Sequence, residues 1–157
     1  MLGDLRIMTI TYKDEIDGID WQQMKSILNE DDFDNGRSPE QLQASFANSY
    51  AFSIAYDSEK IIGTARVLSD GVCNAYIVDV WTYTPYRHQG IARHMIHDLM
   101  NRLQGQHIYL FTEEDTVPFY ETLGFQEQGI GLSIVVGEWL VANPKNITQL
   151  KTAGRQK

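Results

Sequence analysis

The segment Thr84-Pro85-Tyr86-Arg87-His88-Gln89-Gly90-Ile91-Ala92 lies between a stretch that reads as a strand ending near Thr82 and one that reads as a helix starting near Ile91. A glycine-bearing loop that opens a helix presents backbone N–H groups the helix cannot use, together with the positive end of the helix dipole. That combination suits a pyrophosphate, and Gly90 would let the phosphates come close. The segment has neither the Gly-Lys-Ser/Thr of a Walker loop nor the Gly-x-Gly-x-x-Gly of a dinucleotide fold, so those two nucleotide-binding classes drop out. The alternative is an ordinary strand-to-helix connection with a glycine for geometry.

Other residues have types that could do chemistry. Tyr120, in Phe119-Tyr120-Glu121-Thr122-Leu123-Gly124-Phe125, is either a proton donor or a packing aromatic. Asp79 interrupts an apolar strand, and strict alternation places it on the face opposite Tyr76, Val78 and Val80, which favours a capping or pairing role over a catalytic one. Glu113, Glu114 and Asp115 follow the next strand and could line a site, cap a helix or form a solvated turn. The run Glu30-Asp31-Asp32-Phe33-Asp34 either attracts a cationic amine or is a solvated helix end. His94 and His97 share a helix face without a third ligand in view, so no metal is expected. Cys73 has no base placed against it and reads as inert.

The elements that must position these groups are marked by caps and periodicity. Ile7 to Thr11 reads as a first strand. Asp20 with Gln23 has capping-box spacing before Trp21, Met24, Ile27 and Leu28, and Ser38-Pro39-Glu40-Gln41 starts a second helix burying Leu42 and Phe46. From Tyr50 the period changes to two: Phe52, Ile54 and Tyr56 alternate with small residues, as in a half-buried strand. Ile61 to Leu68 returns as its hairpin partner, and Asn74 to about Thr82 is a further strand. The next helix carries Ile91, Met95, Ile96, Leu99 and Leu103 on one face. Then come a short buried strand from His107 to Thr112, a short helix from Pro118 to Leu123 closed by Gly124, and a final strand from Leu132 to Leu140. Strands and helices mix without regular βαβ alternation, which predicts an α+β fold with a mixed, largely antiparallel sheet.

The chain has 157 residues, 43% of them hydrophobic, enough for one domain with a core between a sheet and its helices. Lys plus Arg number 13 and Asp plus Glu 21, a formal charge of −8 that repels phosphate backbones and anionic membrane surfaces. Nucleic acid and membrane are therefore not expected as partners. Cys73 is the one cysteine, so no intramolecular disulfide can form, and the residues from Met1 to Ile10 show no signal-peptide apolar run, which gives a cytoplasmic setting as the expectation.

Arg87-x-x-Gly90-x-Ala92 after a strand, followed by Phe119-Tyr120-Glu121-Thr122-Leu123-Gly124-Phe125, resembles the coenzyme-A signature and second hallmark of the GNAT superfamily of N-acetyltransferases. The element order is similar too, over roughly residues 5 to 141. The resemblance implies helices on both faces of the sheet, and a domain over residues 1–142 with a polar tail over 143–157. It implies that loop amides of about His88, Gln89, Gly90, Ile91 and Ala92, opened by Arg87, bind the pyrophosphate of acetyl-CoA. It further implies that the preceding strand splays from its neighbour, freeing backbone groups of Val80 and Thr82 for the pantetheine arm and acetyl carbonyl, with the Val80 N–H as oxyanion donor.

In such enzymes an amine, small or on a protein, attacks the thioester directly in a ternary complex, and the family's tyrosine, here Tyr120, protonates the thiolate. A phenol of pKa ~10 is matched to a thiol of ~8.5. An amine of pKa ~10.4 must first lose a proton, at a cost of roughly 5 kcal/mol at pH 7. Asp79, Glu113 and Glu114 are the carboxylates available for that, and the choice among them stays open. A homodimer through the final strand, with Ile134, Val136 and Trp139, would follow the family by analogy. The alternative function is a GNAT-like module that senses acetyl-CoA or coenzyme A without turnover.

Overall fold

The computed structural model describes residues 8–137. Its order is β1 (Ile10–Lys13), α1 (Trp21–Glu30), α2 (Pro39–Ala47), β2 (Ala51–Asp57), β3 (Lys60–Ser69), β4 (Asn74–Thr82), α3 (Ile91–Asn101), β5 (His107–Tyr109) and α4 (Val117–Glu121). The five strands form one sheet in the order β1-β2-β3-β4-β5, antiparallel except for the β4–β5 pair. This is the α+β architecture expected, with a mixed sheet and helices on both faces.

The helix starts follow their caps. Asp20 accepts the backbone N–H of Gln23 at 2.9 Å. The Gln23 side chain does not close the box; it reaches the β2–β3 turn, accepting from the Ile61 N–H at 2.7 Å and donating to the Glu59 carbonyl. At α2 the box is complete, with Ser38 and Gln41 exchanging side-chain and backbone bonds and Pro39 at the first helical position.

All seven residues of β2 are buried, where the alternation had suggested a half-buried strand. The reason is that both faces are covered. Phe46 of α2 meets Phe52 edge-on, with ring centroids 5.3 Å apart. Met95 of α3 approaches the opposite face, where a Cβ on Gly63 would lie 3.1 Å from its methyl. Phe52 pairs with Arg66 and Ala55 with Gly63, three residues apart on β2 and so on opposite faces. Met95, Ile96 and Leu99 of α3 are fully buried there.

β5 stops at Tyr109 instead of Thr112, and it is exposed at His107 and half-buried at Ile108 and Tyr109 where a buried strand was expected, because among the described residues it is an edge strand with a partner on one side only. Two further strands differ from expectation at the chain's ends. The first covers Ile10–Lys13 rather than Ile7 to Thr11, and Ile7 lies outside the described residues. Residues 132–137 form no strand, and Trp139, Leu140 and the 143–157 tail lie outside the described residues. Ile130, Leu132, Ile134 and Val136 are all highly exposed, so this apolar alternation has no neighbour among the described residues to bury it, and Gly129 and Gly137 turn the backbone to positive φ. Among the described residues no helix is long and apolar enough to cross a membrane.

Candidate active site

Between β4 and α3 the chain makes one 3₁₀ turn, Thr84–Tyr86, closed by the Tyr86 N–H on the Tyr83 carbonyl at 2.8 Å. His88 (φ 62°) and Gly90 (φ 80°) then take left-handed conformations before the helix begins. The helix's own ladder starts only with the His94 N–H on the Gly90 carbonyl. Among the described residues, none of the backbone N–H groups from His88 to Ala92 is matched to an acceptor. A Cβ on Gly90 would meet nothing within 4 Å, so there is open space beside the loop at Gly90. Uncommitted amides at a helix start and room beside the loop suit a phosphate group.

The loop is pinned by residues remote in sequence. Asp31, which caps the C-terminus of α1, accepts the Trp81 indole N–H at 2.8 Å and the Thr84 backbone N–H at 3.2 Å. Glu30 accepts the Tyr83 hydroxyl at 2.8 Å, and Asp57 accepts the Tyr86 hydroxyl at 2.7 Å. Asp34 pairs with Lys25 at 2.6 Å. Three carboxylates of the Glu30–Asp34 run thus hold the scaffold, while Asp32 is exposed. The anchoring role of Asp31 was not read from the sequence, because its partners lie 50 and 53 residues away.

β4 parts from β5 where the chemistry was expected, while it stays paired with β3. It pairs with β5 only from Asn74 to Tyr76, although it runs on to Thr82. The Tyr83 N–H on the Ile62 carbonyl makes Thr82 and Gly63 a non-hydrogen-bonded pair. The Thr82 backbone groups therefore point away from β3, into the gap that β5 leaves. The Thr82 carbonyl there accepts Arg87 Nε at 3.0 Å, and the half-exposed guanidinium also lies 3.5 Å from Asp31.

The register slips between Arg66↔Val78 and Thr64↔Trp81, so that Asp79 and Val80 together face Ala65 in a β-bulge. Asp79 adopts φ 52°. Its carboxylate pairs with Arg66 at 2.5 Å and Arg37 at 2.8 Å, and its carbonyl accepts the Thr64 hydroxyl. The expected pairing role is what the geometry shows, but the expected face is not. Arg66 is the cross-strand partner of Val78, so the bulge brings Asp79 to the Val78 side, because one extra residue cancels the alternation.

Tyr120 is buried in α4 between Phe119 and Phe125, both edge-on to it. Burial pushes its hydroxyl above the ordinary phenol range. The Phe125 N–H bonds the Tyr120 carbonyl and the Gly124 N–H that of Glu121, a Schellman ending with Gly124 at φ 94°. Arg93, in the first turn of α3, donates to the Thr122 hydroxyl at 2.8 Å and lies over the Phe119 ring, docking α4 beside the α3 start. Tyr120 lines a cavity of about 570 Å³ with Tyr76, Tyr109 and Phe111; Val80, Thr82 and the loop from His88 to Ala92 do not line it. Glu113, Glu114 and Asp115 lie on an exposed turn. His94 is exposed and stacks on Tyr12, ring centroids 3.9 Å apart, and among the described residues no His, Cys, Asp or Glu group could hold a metal ion.

Comparison with known proteins bears on the family and the fold. The acetyltransferase (GNAT) family pattern matches residues 20–125. An uncharacterized N-acetyltransferase, ycf52, of Pyropia yezoensis is 38% identical over 71 residues, which are 43% of this chain and 41% of that protein. The chain thus spans about two-fifths of the length of that relative. A GNAT-family acetyltransferase of Streptococcus pneumoniae superposes with a TM-score of 0.69 at 21% identity, covering 83% of this chain and 100% of that one. A Clostridium acetobutylicum protein predicted to be an acetyltransferase, solved with acetyl-CoA, superposes with a TM-score of 0.62 at 22% identity, covering 81% and 96%. With a matching pattern over most of the chain and a shared fold, this chain belongs to the acetyltransferase (GNAT) family.

Proposed function

We propose that the chain is an acetyl-CoA-dependent N-acetyltransferase that acts on an amine by direct transfer in a ternary complex. The observation that carries this reading is the start of α3, where amides from His88 to Ala92 have no partner among the described residues and Gly90 stands beside open space. Those amides and the helix dipole would hold the pyrophosphate, with Gly90 leaving the phosphates room to approach. The Clostridium acetobutylicum relative of the same fold, solved with acetyl-CoA, supports that donor.

Bound acetyl-CoA supplies an activated acetyl group, whose carbon gains a bond to the amine nitrogen as its bond to sulfur breaks. The Thr82 backbone, facing the β4–β5 gap, would align the pantetheine arm once Arg87 yields its carbonyl. The Val80 N–H, at the bulge, would stabilise charge developing on the acetyl oxygen. Tyr120, kept protonated by burial, would give its proton to the departing sulfur. Arg37 and Arg66 engage the Asp79 carboxylate, which fits a structural role better than that of the base, so solvent or an exposed group such as Glu113 or Glu114 would accept the amine's proton. The exposed thiol of Cys73 suits a reducing compartment, and the cytoplasm is the proposed setting.

The test is release of coenzyme A from acetyl-CoA across a panel of amines, with wild type and Tyr120→Phe. Amine-dependent release that falls in the variant supports the reading; no release with any amine contradicts it.

A further inference from the structure

The bulge at Asp79 carries more positive than negative charge. Arg37 and Arg66 both bond the same oxygen of Asp79, and their side chains are only 11% and 13% exposed. Among the described residues no second carboxylate pairs with either guanidinium: Asp34 is engaged by Lys25, Glu30 by the Tyr83 hydroxyl, and Asp31 by Trp81, Thr84 and Arg87. Arg37 is steadied by Asn35, and Arg66 lies near the Ser49 hydroxyl, both neutral groups. One positive charge is left over in a nearly dry site, inside a chain whose formal charge is −8. Such a charge is costly to bury without a counter-ion, and a guanidinium is shaped to take a carboxylate or phosphate with two donors.

The place is as informative as the charge. Arg66 and Leu68 are i, i+2 on β3, opposite Val78 and Tyr76 on β4, so the four share one face of the sheet. Leu68 and Tyr76 are substantially exposed (41% and 44%), so α1 and α2 stop covering this face just beyond the arginines. An uncovered, partly aromatic strip of sheet thus leads to the arginine pair, and the arginine pair touches the residue next to Val80.

We infer that the acceptor amine carries an anionic group, carboxylate or phosphate, which binds the Arg37–Arg66 pair while its apolar part lies on the Leu68–Tyr76 strip. This rests on the transferase reading and adds the acceptor class to it. The acceptor's ammonium and its anion would then be read separately, with the anion fixing how far the nitrogen lies from the bulge.

The experiment measures kcat/KM, expressed per unprotonated amine, at fixed acetyl-CoA for amines matched in skeleton: leucine against leucinamide, phenylalanine against phenylalaninamide, and phosphoethanolamine against ethanolamine. The anionic member is expected to be favoured at least tenfold in one series, and which series shows it separates carboxylate from phosphate. In Arg37→Gln, which leaves Asp79 paired with Arg66, that ratio should fall toward one, and Arg37→Lys should restore part of it. Equal rates within every pair, or a ratio unchanged in Arg37→Gln, would overturn the inference.

Calorimetric titration of wild type, saturated with coenzyme A, with N-acetylleucine, N-acetylleucinamide, N-acetylphosphoethanolamine and N-acetylethanolamine gives a readout independent of turnover and of variant folding. Binding of an anionic probe at least tenfold tighter than its neutral partner supports the arginine site even if no amine is acetylated. Equal binding within both pairs overturns it even if amines are acetylated.

Discussion

Trp81 donates its indole N–H to the carboxylate of Asp31 at 2.8 Å, joining the C-terminus of α1 to the end of β4. The same carboxylate takes the Thr84 amide and lies 3.5 Å from Arg87, so one buried side chain fixes the last residues before the open amides of the loop. Precision at that point decides how the amides converge on a ligand.

Replacing Asp31 by Ala would leave the largely buried indole donor without a partner, at a cost of about 1–3 kcal/mol. Urea unfolding should show that loss. Acetyl-CoA affinity should fall as well, because the Thr84 end of the loop is released. A variant with wild-type coenzyme affinity would show that the loop holds its shape without Asp31.

Tyr120→Phe keeps the ring and its two edge-on contacts and removes only the hydroxyl. As proton donor to the leaving thiolate the hydroxyl is worth about 100-fold in kcat, with little effect on coenzyme binding. The acid form is the active form, so kcat falls as pH rises through its pKa. Burial raises that pKa, so the fall should begin above the ordinary phenol value of ~10 and vanish in the variant. Steady-state kinetics against pH tests both points.

Asp70 closes the β3–β4 turn by accepting the N–H groups of Val72, Cys73 and Asn74 at 2.8, 2.8 and 3.2 Å. These bonds, that of Cys73 first, lower its carboxyl pKa in the folded state. A depressed folded pKa gives stability that is present above the unfolded value of ~3.9 and is lost as pH falls through the folded one. Unfolding by urea at pH 7 and at successively lower pH should therefore show a steeper loss for wild type than for Asp70→Ala. Parallel curves would contradict the turn's account.

Local signals in the sequence located the parts that local physics decides. The caps at Asp20 and Ser38, the β2–β3 hairpin, the glycine end of α4 and the loop from Thr84 to Ala92 stand where their residues place them. The bulge was not legible, since alternation assumes one residue per position and nothing in Val78-Asp79-Val80 announces a positive φ. Arg37 and Arg66 went unremarked because they meet Asp79 across 42 and 13 residues. Arg66, a charge within an apolar strand, and Asp79, a charge within the next, were the available hint that two strands were matching charges. The run from Leu132 carries strand-like residues, yet residues 132–137 have no strand partner in the sheet that could turn that pattern into a strand.

The central claim is that the start of α3 is the coenzyme's phosphate cradle, and calorimetric titration of purified protein with acetyl-CoA, beside Gly90→Glu, tests it most directly. A Cβ on Gly90 has open space around it, so the variant should still fold, with about 1–2 kcal/mol of strain from φ 80°, while its carboxylate fills and repels the phosphate position. The account predicts micromolar binding by wild type and none measurable by a folded variant. Equal binding by both, or no binding by wild type, would contradict it.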